Sequence, residues 1–494
     1  MTAVLLIAVV FASCEKDDDP QGTIYVPDDF STIQAAIDAS ANGDEIIVKP
    51  GLYPENINFN SKEVTVRSTA PENQDTVMAT IIDGSEQASV VTIENGESNQ
   101  AILNGFTITN GFARDGAGIY IDNYSAPLIK NNLITENICG RGGGGGAFVT
   151  NGSAPVFEQN IFDNNINSRT TSRSGLALYV RNESEAVIQN NIFRNHEGVR
   201  GVIAIGSSSD DLSHAEITGN TLENNTTDYG TGGIAVNGSE VTVNNNLITN
   251  NTGGGSGIDA GGAFSIRNEA SVVISENTIT NNWATNAGAV AIGNDAQVII
   301  DNNVITGNSS GEEGTTTGTG GGIFIESSVA EIYNNTITNN TSWNTNVGGG
   351  GIYVADSDVT IDNNHISNNR ASRSGGGILL RGHGQTSTLV ATVTNNVIEN
   401  NEAMGHAQTR GGAIYVGWIQ QATIYGNTIN DNSSGFRAGG IFVDEETPVY
   451  GENNTQWERM NYPPQEEIYN QYSGNEHVDD EFAGRHVFFS DFSK

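Results

Sequence analysis

Apolar and polar residues alternate along this chain in short runs that return at a nearly constant beat. Residues 351–369 show the unit: Gly351-Ile352-Tyr353-Val354, then Val359-Thr360-Ile361, then His365-Ile366. Period-two alternation puts Ile352, Val354, Ile361 and Ile366 on an inner face and Tyr353 on the outer one. Each unit therefore predicts three short strands joined by corners. One corner carries an asparagine in eleven successive units: Asn132, Asn160, Asn191, Asn220, Asn246, Asn277, Asn303, Asn335, Asn364, Asn396 and Asn427. Five residues on, a second series runs Asn137, Asn165, Asn225, Asn251, Asn282, Asn308, Asn340, Asn369, Asn401 and Asn432, interrupted only by His196. The mean interval, about 30 residues, is that of a β-solenoid. Amides repeated at one place in every coil can stack and hydrogen-bond to one another. The expected fold is all-β, a single-stranded right-handed parallel β-helix of about 15 coils stacked at ~4.8 Å, or roughly 70 Å in all.

Repeat length varies mainly between the second asparagine and the next strand-opening glycine: 309–321 is long, 282–288 short. Insertions on one edge of a solenoid usually build its binding face. The outward position of the glycine-led strand forms a column of Tyr120, Phe148, Tyr179, Ala204, Ala235, Ser265, Ala291, Phe324, Tyr353, Leu379, Tyr415 and Phe442. Rings stand at both ends and small residues in the centre, which leaves two alternatives. The rings form an open platform for sugar faces with a central trough, or they stack on one another beneath the adjoining loops. Arginine recurs just before the strand glycine, as Arg114, Arg141, Arg173, Arg200, Arg373, Arg410 and Arg437. Guanidinium groups there suit carboxylate or sulfate of an acidic polysaccharide, or else the protein's own Asp and Glu.

That choice matters because basic residues are scarce. Fifty-eight acidic residues against 21 basic ones give a net charge of −37, and only five of the basic residues are lysine. Such a surface repels nucleic acid and anionic lipid. With only 16% charged residues and ten prolines, neither charge-driven disorder nor a proline-rich chain is expected. Two cysteines, Cys14 and Cys139, offer no disulfide framework if Cys14 is otherwise engaged.

Both chain ends depart from the repeat. Residues 23–38 read as a strand, a turn and a short amphipathic helix, with Ser31 as N-cap and Gln34 three residues on. Glu45–Val48, Pro50–Ile57 and Val64–Val66 follow. This segment, with the coils after it, resembles the N-terminal portion of right-handed parallel β-helix proteins of the pectate-lyase-like superfamily. The resemblance implies a helix that plugs the open end of the coil, where core and strand edge would otherwise be bare. At the start, Val4–Phe11 is an apolar run of signal-peptide length ending in Phe11-Ala12-Ser13-Cys14. It resembles a bacterial lipobox, with phenylalanine in place of the usual leucine and no Lys or Arg before the apolar run. That resemblance implies cleavage before Cys14 and lipidation of its sulfur. The following Glu15-Lys16-Asp17-Asp18-Asp19 resembles the acidic export tag of surface lipoproteins. The expected organisation is a signal peptide over 1–13, an acidic tether over 14–22, the β-helix over 23–444 with its cap about 23–44, and a C-terminal cap over 445–494. The expected location is the outer membrane, facing the cell surface or the periplasm, with the membrane met only through the lipid and the protein a monomer.

Chemistry is less legible. Arg381-Gly382-His383-Gly384 contains the Gly-His-Gly triplet of polygalacturonase-type glycosidases, but the acidic motifs that accompany it there are missing. Lyases of this fold, by resemblance, use a Lys or Arg base with calcium or another neutraliser of the uronate carboxylate. With Lys130 the only lysine of the ladder region, Arg181 and Arg267 beside the trough are the candidate bases. Asp163, Arg194 and Glu223 fall at equivalent outward positions in successive coils and form a second candidate cluster for acid–base work, or a surface ion-pair ladder. Asp210, Asp211, Asp259, Glu312 and Glu313 are the loop carboxylates that could bind calcium, none with a recognisable spacing. Three functions follow: an acidic-glycan-binding surface lipoprotein, a polysaccharide lyase acting on uronates, and a structural or adhesive rod. Fold alone does not choose between them.

Overall fold

A computed structural model describes residues 22–140, 142–167, 175–208, 212–382, 389–405, 409–436 and 438–444. It also describes the backbone of four short strands between Val449 and Phe489. Cys14, Arg141, Arg173, Asp210, Asp211, His383 and Arg437 lie outside the described residues, as do the leader, the tether and the side chains of the tail.

The chain winds as a parallel β-solenoid. Glycine-led strands such as Ile352–Ala355 form a first sheet of 15 strands, and strands such as Asp358–Asp362 a second sheet of 16. Strands such as His365–Ser367 form a third sheet, of 15. Two-residue strands such as Arg370–Ala371 add a short fourth wall after the second asparagine. In the three main sheets strands pair in parallel with their counterparts one coil on, for example Ile332 with Ile361 and Ile361 with Val393. Inward columns such as Ile300, Ile332, Ile361 and Val393 are fully buried, so one continuous apolar core runs the length of the coil.

The amide ladders hold the corners. Asn364 accepts at Oδ1 from the backbone N–H and Nδ2 of Asn335, at 2.9 and 3.0 Å. Its own Nδ2 donates to the carbonyls of Ile332 and Asp362 and to Asn396 Oδ1, at 2.8, 3.0 and 3.0 Å. The buried corner thus loses no hydrogen bond to its bend. The residue before each ladder amide takes the left-handed conformation, as at Asn363 and Asn368. This explains the Asn-Asn doublets: the first tolerates the turn and the second turns inward.

Two expectations need adjustment. The strand-opening glycines serve close approach as much as bending. A Cβ on Gly351 would stand 2.7 Å from the Gly377 carbonyl oxygen and 3.2 Å from Asn369 Nδ2. At the N-terminal end the helix α1 (Ile33–Ala39) is present, but Thr32, not Ser31, is its N-cap, accepting from the Ala35 N–H at 3.2 Å. Glu55 takes the remaining first-turn N–H groups of Ile33 and Gln34 at 2.9 and 3.0 Å. A distant carboxylate thereby does the work expected of a local capping box and also complements the positive end of the helix.

Candidate functional site

The outward column of the first sheet is in register as the alternation requires, running from Tyr120 through Phe148 and Tyr179 to Tyr415 and Phe442. It is not an open platform. Phe148, Tyr179, Phe324, Tyr353 and Tyr415 are at most 9% exposed, and only Tyr120 is half-buried. The rings stack on their neighbours, Tyr120 on Phe148 at 5.9 Å and Tyr415 on Phe442 at 5.7 Å. Ile258 and Val347, from the variable edge, pack over the column and make a second, outer hydrophobic layer. Burial of ring and aliphatic carbon against each other outweighs leaving five rings in water.

The central trough over Ala204, Ala235 and Ser265 has also largely closed, to a cavity of about 30 Å³ beside Arg200, Asp259 and Arg267. Arg267 is ion-paired with Asp259, which sits in the 3₁₀ turn Gly257–Asp259. Burial and the nearby Arg200 push the Arg267 pKa down, the direction a base requires. The ion pair with Asp259 nonetheless occupies the guanidinium that would have to accept a substrate proton. Arg181 bonds its neighbour Asn182 at 3.0 Å and lies 5.8 Å from the Tyr179 ring centroid. Asp163 and Arg194 pair at 2.9 Å in register with Glu223 on the third sheet, and they line neither depression. Such a pair at the surface is worth little. Among the described residues no group of three or more His, Cys, Asp or Glu gathers as metal ligands. Asp259 is committed to Arg267, and Glu312 and Glu313 are exposed in a loop. Cys139 is buried, and burial pushes its thiol up to about 12, which leaves it inert.

A roomy depression on this face lies near the C-terminal end of the coil, a cleft of about 440 Å³. Leu379 and Tyr415 form its floor. The cleft is also lined by Arg373 and Arg410, which precede their strands, and by Arg381, Trp418 and Asp444, which end or follow theirs. Arg410 pairs with Asp444 at 3.2 Å and lies 4.9 Å from the Phe442 ring centroid. Arg373 donates to the Thr345 carbonyl at 3.1 Å. Arg381 makes no ion pair among the described residues, and its guanidinium sits 5.2 Å from the Trp418 ring centroid. The Tyr415 hydroxyl donates to Asp444 Oδ2. Burial and that carboxylate push the phenol pKa up, so Tyr415 stays neutral with its proton committed.

Arg373, Arg410 and Tyr415 were legible as candidates; Arg381, Trp418 and Asp444 were not. The signal for Arg381 was register. It occupies the strand-end position of Arg267, traced through Gly293, Glu326 and Ala355, and Arg181 falls in the same column. Of the expected arginines, Arg200 and Arg267 line the small cavity and Arg373 and Arg410 the larger cleft, whereas Arg114 and Arg181 line neither.

Comparison with known families agrees with this architecture. The family model described as "Right handed beta helix region" matches residues 80–269 and 166–463. The chain belongs to the right-handed β-helix family. No curated protein matches this β-helix protein. Solved structures similar to it include a complex of alginate lyase AlyF-OU02 with G6, at 14% identity and a TM-score of 0.37 over 96% of this chain and 97% of that one. The A-module of Azotobacter vinelandii mannuronan C-5 epimerase AlgE6 is 13% identical, with a TM-score of 0.32 over 93% and 94%. The polysaccharide lyase Pedsa3628 of family PL6 from Pseudopedobacter saltans is 11% identical, with a TM-score of 0.30 over 95% and 92%.

Proposed function

We propose that this β-helix protein binds acidic polysaccharide in the C-terminal cleft that opens over its first sheet. One observation carries the reading. On a chain with a net charge of −37, three of the few guanidinium groups, those of Arg373, Arg381 and Arg410, gather around one 440 Å³ cleft. Planar guanidinium forks match carboxylate and sulfate, and a chain otherwise hostile to polyanions gains from concentrating them. The cleft supports binding better than elimination. Tyr415 has its proton committed to Asp444 and offers no free base. The lyase alternative rests on Arg267, whose pairing with Asp259 and cramped cavity count against a substrate there.

Replacing Arg373 and Arg381 together with alanine is expected to weaken binding of oligoguluronate or oligogalacturonate at least about tenfold, since each charged hydrogen bond is worth on the order of 1.5–3 kcal/mol. Calorimetric titration of both proteins with the acidic oligomers and a neutral cello-oligomer checks this. Equal affinity of variant and parent, or a preference for the neutral sugar, sinks the reading. An absorbance rise from an unsaturated uronate product would replace binding with β-elimination.

Display at a membrane surface through a lipid on Cys14 completes this reading, supported by the lipobox-like Phe11-Ala12-Ser13-Cys14. Labelled palmitate is expected to enter the parent protein expressed in a Gram-negative host and not the Cys14→Ser variant. Equal labelling of the two removes the anchor.

A further inference from the structure

Trp418 stands at a corner where most coils place a short polar residue or glycine. It follows the strand Ile414–Gly417 with φ of 55°, in the left-handed region. The corresponding corner in other coils holds Asn123, Asn151, Asn182, Gly238, Asn268, Asn294, Ser327 and Asp356, each also with positive φ. Those are residues that accept this conformation at low cost, through a short polar side chain or none. A bulky aromatic ring accepts it at higher cost, as Tyr124 also does with φ of 62° one position beyond this corner, and strain of this kind clusters where the side chain has a task. Packing does not provide that task, because Trp418 is 46% exposed while the rings of the neighbouring column are roofed. It projects at the rim of the C-terminal cleft, held by the Arg381 guanidinium.

We propose that Trp418 and Arg381 form a single sugar subsite, which rests on the polysaccharide reading above and narrows it to one acidic residue. The indole offers a face on which the C–H side of a pyranose ring stacks. Arg381, carrying a charge that no carboxylate of the described residues offsets, takes the carboxylate or sulfate of the same sugar. The cation–π contact orients the two groups before the ligand arrives, so little side-chain freedom remains to be lost on binding. Arg373 lines the same cleft, so a neighbouring charge of the chain would fall near it. This subsite reads charge and ring together. It selects uronate-type or sulfated sugars over both neutral sugars and small inorganic anions.

The test uses the whole protein with Trp418→Asn, Trp418→Gly and Trp418→Phe. Asparagine and glycine already occupy the equivalent corner at Asn294 and Gly238, so both variants are expected to fold with a melting temperature equal to or above that of the parent. Their affinity for a guluronate or galacturonate tetramer should fall about tenfold or more, whereas Trp418→Phe keeps most of it. Inorganic sulfate should bind weakly and equally to all four proteins. If the parent binds no acidic oligomer, the polysaccharide reading itself fails. If the parent binds and the Asn and Gly variants bind as tightly, the polysaccharide reading stands and the Trp418 subsite is wrong. A melting temperature lowered in both variants would show that the ring serves packing, and would overturn the proposal equally.

Discussion

Asn277→Ala is expected to lower the stability of the solenoid by on the order of 5 kcal/mol. The Asn277 side chain accepts from the backbone N–H and Nδ2 of Asn246, at 2.8 and 2.9 Å. It donates to the Val243 and Ser275 carbonyls and to Asn303 Oδ1, at 3.0, 2.8 and 3.0 Å. Alanine strands several of these partners inside a corner that water does not reach, and each unsatisfied buried group costs about 1–3 kcal/mol. The sum is comparable to the whole stability of an ordinary domain. In a linear array such a lesion splits the coil into two segments that melt separately. Urea unfolding should therefore show an earlier and broader transition. Thr280→Ala, on the outer face of the same coil, should shift it by less than about 0.5 kcal/mol. An Asn277→Ala protein within about 1 kcal/mol of the parent would mean that strand pairing alone holds the corners.

His196→Asn is expected to act in the opposite direction, and most strongly in acid. His196 occupies a ladder position and is fully buried; its Nδ1 lies 3.1 Å from the Asn165 backbone nitrogen and 3.0 Å from the Asn165 carbonyl oxygen. Whichever of the two it bonds, Nε2 has no hydrogen-bond partner among the described residues. The equivalent Asn225 spends its amide on the Phe193 carbonyl and on Asn251, at 3.1 and 2.8 Å. An asparagine at 196 can do the same with Phe162 and Asn225. Burial lowers the His196 pKa from 6.5 to about 4. The unfolded chain therefore takes up this proton first as pH falls. The stability of keeping the ring neutral is complete above about pH 6.5 and is lost progressively down to about pH 4, by about 3 kcal/mol in all. The variant lacks that loss. The difference in unfolding free energy between variant and parent should widen from pH 7 to pH 4.5, and a constant difference would show that the imidazole does not titrate in this window.

Much of the fold was written in local pattern. Alternation at Ile352, Val354, Ile361 and Ile366 assigned the inner face, and the spacing of Asn132 through Asn427 assigned one corner of every coil. These succeed because a strand's two faces and an amide's hydrogen-bonding capacity are properties of a few adjacent residues, repeated until chance is excluded. The column from Tyr120 to Phe442 was identified by the same logic, and the register places every member in line.

The fate of that column was not a local matter. Whether Phe324 and Tyr353 meet sugar or solvent depends on where Ile258 and Val347 fold back, and those residues arrive from inserts of irregular length with no period to read. The same holds for charge. Arg267 and Arg381 share one position in the coil, yet one is neutralised by Asp259 and the other looks onto Trp418. The repeat alone therefore determined the spiral, its core and its corners, because their energetics belong to each coil and its immediate neighbours. Only the tertiary structure decided which outward side chains are roofed, which arginines are paired and where a cleft stays open, because those outcomes turn on contacts between inserts and coils that no short stretch of chain encodes.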